Sequence, residues 1–259
     1  MKSGTIPIRA KGLNIKQSEG KVSIYKTTWL VIGPPGVGKS TLASGFEDAL
    51  FLVTSEKELT RLNVPYLLIE SWEQLMDITD ELCNNRANYP YKFVVVDFID
   101  AIFTMCDVAV CEKLKISHKT DAGYGKGTDT IDTYFKKWVT QMVAADYGLI
   151  FISHVVTKDQ IVSGGSISKT VCTLPPRPRN ILFPLINVIG CIEYRQVKVP
   201  VEGGKIALQR KRVMVFEATE YVEAKDRDGV LPSEIVLAKD PKVNFQVFKD
   251  YYEGKRIKK

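Results

Sequence analysis

The sequence predicts an α/β protein built on a mostly parallel sheet flanked by helices. Two observations support this. Over roughly the first 155 of the 259 residues, short apolar runs rich in β-branched and aromatic residues alternate with longer helical stretches, and the apolar runs lack polar alternation, which indicates strands buried on both faces. After residue 187 two alternating runs flank a Gly-Gly turn, so we expect antiparallel strands that extend the sheet.

Each element follows from its own local pattern. Strands are predicted at 27–33, 48–55, 66–69, 92–97 and 147–153, and antiparallel strands over 188–199 and 206–224. Helices are predicted at 39–47, 71–86, 99–114 and 128–147, with Ser71 as a helix N-cap. Residues 114–129 and 157–180 are Gly-, Ser- and Pro-rich and predict long irregular loops.

Length and composition favour one domain in three parts. We expect an N-terminal extension over 1–26, a nucleotide-binding core over 27–155, and a region over 156–259 that carries loops and a hairpin. Hydrophobic residues at 45% and charged residues at 25% are ordinary for a globular protein, and the net charge of +6 permits a polyanionic partner without requiring one.

Cysteine and histidine usage restricts the chemistry. Five cysteines with no C-x-x-C pair argue against a disulfide framework or a zinc ribbon and favour a reducing compartment. His118 and His154, distant in sequence, offer little for a transition-metal site. The first twenty residues lack an apolar run and no apolar stretch is long enough for a bilayer, so we expect a cytoplasmic protein with no membrane partner.

The strongest motif is GPPGVGKS, which fits G-x-x-x-x-G-K-[ST] between a predicted strand and a predicted helix. Glycines let backbone N–H groups turn inward around phosphate oxygens, Lys39 is expected to reach the β- and γ-phosphates, and the Ser40 hydroxyl is expected to hold Mg²⁺. The nucleotide-binding residues are therefore predicted to be Gly33, Pro34, Pro35, Gly36, Val37, Gly38, Lys39, Ser40 and Thr41.

A second acidic position completes the predicted metal site. Asp97 ends the apolar run FVVVD, where a carboxylate is expected to support Mg²⁺, although a carboxylate there also suits a helix cap. Phe98 follows it, so the acidic pair that supplies the water-activating base in many AAA-type ATPases is missing. Glu56, after the second strand, is the leading candidate for the base and Asp100 its rival. His154, after the fifth predicted strand, is a candidate γ-phosphate sensor or a structural histidine.

With these strand ends assembled, the chain resembles the RecA-like P-loop ATPases, and in particular phage-encoded nucleotide-binding proteins that assist single-strand annealing and recombination. The similarity covers most of the chain and rests on GPPGVGKS, SEKEL, VVVDFID, GLIFISHVV and EAKDRDG. It implies a RecA-like core, ATP and Mg²⁺ as cofactors, and a location in the bacterial host cytoplasm. It also implies that Glu56 is the catalytic base and that His154 reports the γ-phosphate.

The segment EAKDRDG resembles the K-x-R-x-G element of RecA-like hexameric helicases. That likeness implies that Lys225 and Arg227 reach into the nucleotide of a neighbouring subunit, and hence a homo-oligomeric ring or filament. A solvated charged turn is the alternative.

The resemblance also implies contact with single-stranded DNA through the two predicted loops. The candidate residues of the later loop are Lys158, Lys169, Arg177 and Arg179, whose cations suit phosphates, and Tyr124 in the earlier loop is a candidate stacking platform. A single-strand binding protein is a candidate partner.

The leading functional hypothesis is a DNA-stimulated ATPase in phage recombination, annealing or replication. Two alternatives remain: a nucleotide-gated DNA-binding module with little turnover, and a P-loop small-molecule kinase. The second half of the chain offers hairpins rather than an Arg-bearing helical lid, which disfavours the kinase.

Overall fold

The computed structural model describes residue 20 and residues 22–162, 165–200 and 206–256. Within them, nine strands form one sheet. The strands and helices of the first part are β1 (Thr28–Ile32), α1 (Lys39–Ala43), β2 (Ala49–Val53), β3 (Tyr66–Leu68), α2 (Trp72–Asn84), β4 (Phe93–Asp97), α3 (Ile99–Leu114), α4 (Lys126–Ala144) and β5 (Gly148–Ser153). The second part contains β6 (Val155–Val162), β7 (Gly165–Cys172), α5 (Pro176–Leu182), β8 (Val188–Pro200), β9 (Ile206–Val215), β10 (Lys225–Asp226), β11 (Glu234–Val236) and α6 (Pro241–Tyr252).

The sheet order is β11-β9-β8-β1-β5-β4-β2-β3, and β10 pairs with β8. The strands from β8 to β3 are parallel, whereas β9, β10 and β11 pair antiparallel to their neighbours. The predicted fold class is therefore confirmed. Because β5 lies between β1 and β4, the chain segments after all three strands meet at one edge of the sheet.

Two apolar clusters hold the helices on opposite faces of this sheet. On one face, Leu30, Val96 and Phe151 pack with the buried sides of α2, α3 and α4. On the other face, Trp29 lies among Phe46, Phe216 and Phe248 and packs with α1 and α6. Burial on both faces explains why the core strands contain so few polar residues.

Several predicted boundaries differ from the observed ones. Helix α1 ends at Ala43, short of the predicted residue 47, and the N–H groups of Gly45 and Phe46 bond three residues back to Leu42 and Ala43. Gly45 lies against the backbone of Pro241 at the start of α6. A Cβ at Gly45 would lie only 2.2 Å from the carbonyl carbon of Pro241, so this close approach requires glycine. Strand β9 ends at Val215, and residues 216–224 run as irregular chain that bonds to Thr170.

The prediction of irregular loops is wrong for most of 157–180. Strands β6 and β7 form a two-stranded antiparallel sheet of their own, and α5 follows. The sequence shows no apolar alternation here because the outer half of this hairpin is exposed on both faces. In the earlier loop, α4 begins at Lys126, two residues before the predicted start and inside the predicted loop of 114–129.

The predicted N-terminal extension lies largely outside the described residues, as does the turn expected at 200–205. Where the chain becomes described, Ile24 is buried and Tyr25 packs against Phe93 and Phe245. Across the described part of the chain, no helix combines the length and apolarity required to span a membrane.

Candidate functional site

The loop between β1 and α1 has the backbone shape that a phosphate-binding loop requires. Gly36 has a φ of +74° and Gly38 a φ of +92°, both in the left-handed region that favours glycine. At Gly36 a Cβ would have no atom within 4 Å, so the loop is open to solvent there, whereas at Gly38 it would collide with Arg212. The loop is thus open on one side and supported on the other.

Lys39 is folded back over this loop. Its ammonium donates to the carbonyl oxygens of Gly33 at 2.9 Å and Pro34 at 3.2 Å, and it lies 3.1 Å from Nδ1 of His154. An ammonium group has only donors, so the neutral imidazole must present Nδ1 as an acceptor in this contact. Lys39 is only 5% exposed, and its cation is held where phosphate oxygens can replace these acceptors.

Ser40 and Asp97 meet at the same edge of the sheet. The Ser40 hydroxyl donates to Oδ2 of Asp97 at 2.6 Å, and Asp97 is fully buried at the end of β4. Hydroxyl and carboxylate oxygens are the hard donors that Mg²⁺ prefers. These residues therefore fit a magnesium ion shared with a nucleotide phosphate.

His154 is positioned by its neighbours at the end of β5. Its ring lies 4.4 Å from the ring of Phe98, centroid to centroid, and its carbonyl accepts from the backbone N–H of Thr173 at 3.0 Å. Phe98 also faces Lys39, whose Nζ lies 5.8 Å from the ring centroid. The residue that replaces the second acid of many AAA enzymes thus forms an aromatic wall beside the lysine.

The two candidate bases have different surroundings. Glu56 is exposed, three residues beyond the end of β2, and its carboxylate accepts from the hydroxyl of Tyr66 at 2.8 Å. Asp100 lies in the first turn of α3 and accepts from the Thr173 hydroxyl at 2.7 Å through Oδ1, while its buried Oδ2 has no hydrogen-bond partner among the described residues. The choice between the two remains a prediction.

Lys225 and Arg227 lie at the opposite end of the sheet. Strand β10 pairs with Val188 and Ile189 at the start of β8, and Val188 is level with Trp29 near the start of β1. The Lys225 ammonium donates to the carbonyls of Phe183 at 2.9 Å and Ile186 at 2.8 Å, and burial together with the Arg227 charge lowers its pKa. The exposed Arg227 donates to the carbonyl of Pro184. Neither side chain is near the phosphate loop of its own chain.

The four predicted nucleic-acid residues fall into two pairs. Lys158 and Lys169 are directly opposite each other on β6 and β7, an arrangement in which their like charges repel. Arg177 instead bonds to Asp132 at 2.7 Å and to Asp129 at 2.5 Å. Arg179 pairs with a glutamate, so both arginines are engaged by acids of their own chain.

Two residues of the site escaped the sequence interpretation. Arg212 on β9 donates to the carbonyls of Val37 at 3.4 Å and Ala238 at 3.1 Å, which ties the phosphate loop to the segment before α6. Thr173 links Asp100 to His154. No local pattern marks either residue, because Arg212 reaches the site through the pairing of β9 and β8 beside β1, and Thr173 follows an exposed hairpin without apolar alternation.

The comparisons with known proteins agree with this geometry. A family model described as "AAA domain" matches residues 25–228, well over half of the chain. The match begins just before β1 and ends just after β10, so it includes the phosphate loop, Asp97 and the Lys225 to Arg227 segment. No curated protein matches the sequence.

Proposed function

The chain belongs to the AAA-domain family of P-loop ATPases, and from that premise we propose that it is a Mg²⁺-dependent, oligomeric, RecA-like ATPase that binds single-stranded DNA. We propose further that its nucleotide state controls annealing or strand exchange, as in phage recombination or replication. The single observation that carries the ATPase assignment is the convergence of Lys39, Ser40 and Asp97 at one edge of the sheet.

In the proposed reaction Lys39 exchanges its carbonyl and histidine acceptors for β- and γ-phosphate oxygens of ATP. Ser40 and Asp97 would hold the metal, which would neutralise charge on the phosphate oxygens. Glu56 orients a water molecule for in-line attack on the γ-phosphorus, with Asp100 as the alternative base. The bond between the γ-phosphorus and the oxygen that bridges it to the β-phosphate breaks, and ADP and phosphate are the products.

The proposed role of His154 follows from its contact with Lys39. When Lys39 turns toward phosphate, Nδ1 of His154 loses that donor. To bond to the γ-phosphate, whose oxygens only accept, the imidazole must then carry a proton on the nitrogen that faces it. Such an exchange would make the end of β5, and the attached β6–β7 hairpin, sensitive to the bound nucleotide. This supports a coupling between ATP state and the proposed DNA contact.

Lys158 and Lys169 support the proposed DNA contact. Their ammonium groups lie on facing strands of a hairpin that leaves the phosphate edge of the sheet directly after His154. Phosphate binding would relieve the repulsion between them. Arg177 and Arg179 contribute less in this proposal, because their acidic partners already neutralise them. Tyr124 is fully exposed between two glycines and is a second candidate contact, by stacking with a base.

One observation favours a nucleotide-gated DNA-binding module with little turnover as the second candidate. Glu56 is held by Tyr66, and Arg227 by a carbonyl of its own chain, so neither is free to act before a rearrangement or subunit assembly. In this second proposal ATP binding alone changes the hairpin.

The test is steady-state ATP hydrolysis over a range of protein concentrations, with single-stranded DNA, with duplex DNA, and without DNA. Turnover that rises with protein concentration and with single strands supports the leading proposal. A Lys39→Ala variant controls for contaminating activity, and a Lys158→Glu/Lys169→Glu variant should lose the stimulation by DNA but keep basal turnover. Slow turnover that ignores both variables contradicts the leading proposal. It favours the gated module, or a small-molecule kinase if an acceptor screen succeeds.

A further inference from the structure

The β8–β9 hairpin carries one face that continues past the phosphate loop. Ile192 and Met214 are directly opposite each other and are buried on the side of the sheet that packs with α1 and α6. Side chains alternate along strands, so the next pair on this same side is Tyr194 and Arg212. Arg212 touches the phosphate loop at Val37. The face therefore begins at the loop and extends away from it.

Tyr194 and Arg210 form a stacked pair on this face. The Arg210 guanidinium lies over the Tyr194 ring, 4.3 Å from its centroid. Tyr194 is 46% exposed and Arg210 is exposed. A contact between an aromatic ring and a guanidinium contributes little stabilising energy when both are in solvent. The pair thus presents two flat, polarisable surfaces to solvent within one residue pair of the phosphate loop.

The orientation of a bound nucleotide follows from the contacts of the loop. Ser40 reaches Asp97 on β4 and Lys39 reaches His154 after β5, so the metal and the terminal phosphates belong on that side of β1. Strand β8 lies on the other side of β1, with β9 beyond it. With the terminal phosphates placed toward β4 and β5, we expect the other end of the nucleotide, its sugar and base, to lie toward β8 and β9.

We propose that Tyr194 and Arg210 bind the base of the nucleotide by stacking, and that Arg212 is a positioning residue that holds the phosphate loop against this wall. This inference rests on the proposed nucleotide site and adds a base subsite to it. Stacking on an aromatic ring tolerates any base, and the guanidinium adds a cation above the ring system. The subsite therefore takes a nucleoside triphosphate in preference to inorganic tripolyphosphate, with weak discrimination among bases.

The experiment compares calorimetric binding of Mg²⁺-ATP and Mg²⁺-tripolyphosphate to the full chain. For Tyr194→Ala and Arg210→Ala we expect ATP affinity to fall about tenfold, while tripolyphosphate affinity stays within about twofold of the unchanged protein. Tyr194→Phe keeps the ring and should keep ATP affinity. Lys211→Ala is the matched control, because Lys211 lies on the same strand but on the opposite face.

The possible outcomes distinguish failure of the base subsite from failure of the proposed nucleotide site. If the unchanged protein binds neither ligand, the proposed nucleotide site itself is wrong. If it binds both, and Tyr194→Ala binds ATP as tightly as the unchanged protein, the base subsite is overturned. Equal losses for ATP and tripolyphosphate overturn it too, since the hairpin would then act on the phosphate loop. A loss of oligonucleotide affinity with unchanged ATP affinity overturns it in favour of a nucleic-acid contact.

Discussion

The hydroxyl of Ser40 donates a hydrogen bond to Oδ2 of Asp97 over 2.6 Å, although 57 residues separate the two in sequence. The contact joins the first turn of α1 to the end of β4, two positions away in the sheet from β1. It marks the expected metal position, because both atoms are oxygen donors and the carboxylate is fully buried. The first prediction tests this position.

Replacement of Asp97 by Asn should separate nucleotide binding from metal use. The amide oxygen can still accept from Ser40, but the negative charge that favours Mg²⁺ is gone. We expect turnover to fall on the order of 100-fold and the Mg²⁺ dependence of ATP affinity to flatten. Titration of ATP at several Mg²⁺ concentrations measures both, and an unchanged Mg²⁺ dependence would place the metal elsewhere.

Replacement of His154 by Ala should reduce discrimination between ATP and ADP. The ring is within 3.1 Å of Lys39, and we propose that it faces the γ-phosphate when Lys39 turns to the nucleotide. Loss of one hydrogen bond to a charged group should lower the ratio of ATP to ADP affinity by about tenfold. Competition binding with both nucleotides gives that ratio. An unchanged ratio would leave His154 with a structural role only.

Glu56 and Asp100 can be distinguished by isosteric replacement. We expect Glu56→Gln to lower turnover about 100-fold or more without weakening ATP binding, since the amide cannot accept a proton from water. Asp100→Asn should affect turnover less, because Asp100 accepts from the Thr173 hydroxyl and the amide oxygen can do the same. Single-turnover hydrolysis at saturating ATP measures the chemical step, and the reverse ranking would assign the base to Asp100.

Lys225 and Arg227 should behave differently despite their shared segment. Arg227→Ala should leave ATP binding and thermal stability near those of the unchanged protein while lowering turnover by up to about 1,000-fold in the assembled protein. Lys225→Ala should lower the melting temperature, because the carbonyls of Phe183 and Ile186 lose a shared cation. Mixing Arg227→Ala with Lys39→Ala subunits provides the control. Recovery of turnover there would demonstrate sites between subunits, and normal turnover by Arg227→Ala alone would refute the proposed trans role.

Glu47 should contribute to stability in a pH-dependent way. Burial tends to raise the pKa of its carboxyl, but hydrogen bonds from Tyr25, Lys249 and Lys92 outweigh burial and lower that pKa to about 2 from 4.5. A carboxyl whose pKa is lower in the folded state stabilises the fold above its unfolded pKa and loses that contribution as pH falls toward 2.

The matching measurement compares melting temperatures of Glu47→Gln and the unchanged protein across pH. We expect the variant to melt lower above pH 4.5, and the gap to close as pH falls from 4.5 toward 2. Glu70→Gln is the control, because Glu70 is exposed and should show no such gap. A gap that stays constant across this range would mean that packing, and not charge, accounts for the effect.

Much of the fold could be predicted from the sequence because its signals are local. Unbroken apolar runs predict the buried strands, and α3 occupies the predicted residues 99–114. The phosphate loop is equally local, since GPPGVGKS specifies its own turn through glycines with positive φ. The antiparallel strands after residue 187 were likewise marked by alternation on either side of a Gly-Gly pair.

The tertiary structure decided what the local sequence patterns do not record. The β6–β7 hairpin was missed because exposed strands carry no apolar period. Alternation along 225–227 places Lys225 and Arg227 on one side, but only the pairing of β10 with the start of β8 locates them away from the phosphate loop. Arg212 contacts Val37 because β9 lies two strands from β1 in the sheet. This proximity results from assembly and burial of the whole sheet, so no single segment of the sequence predicts it.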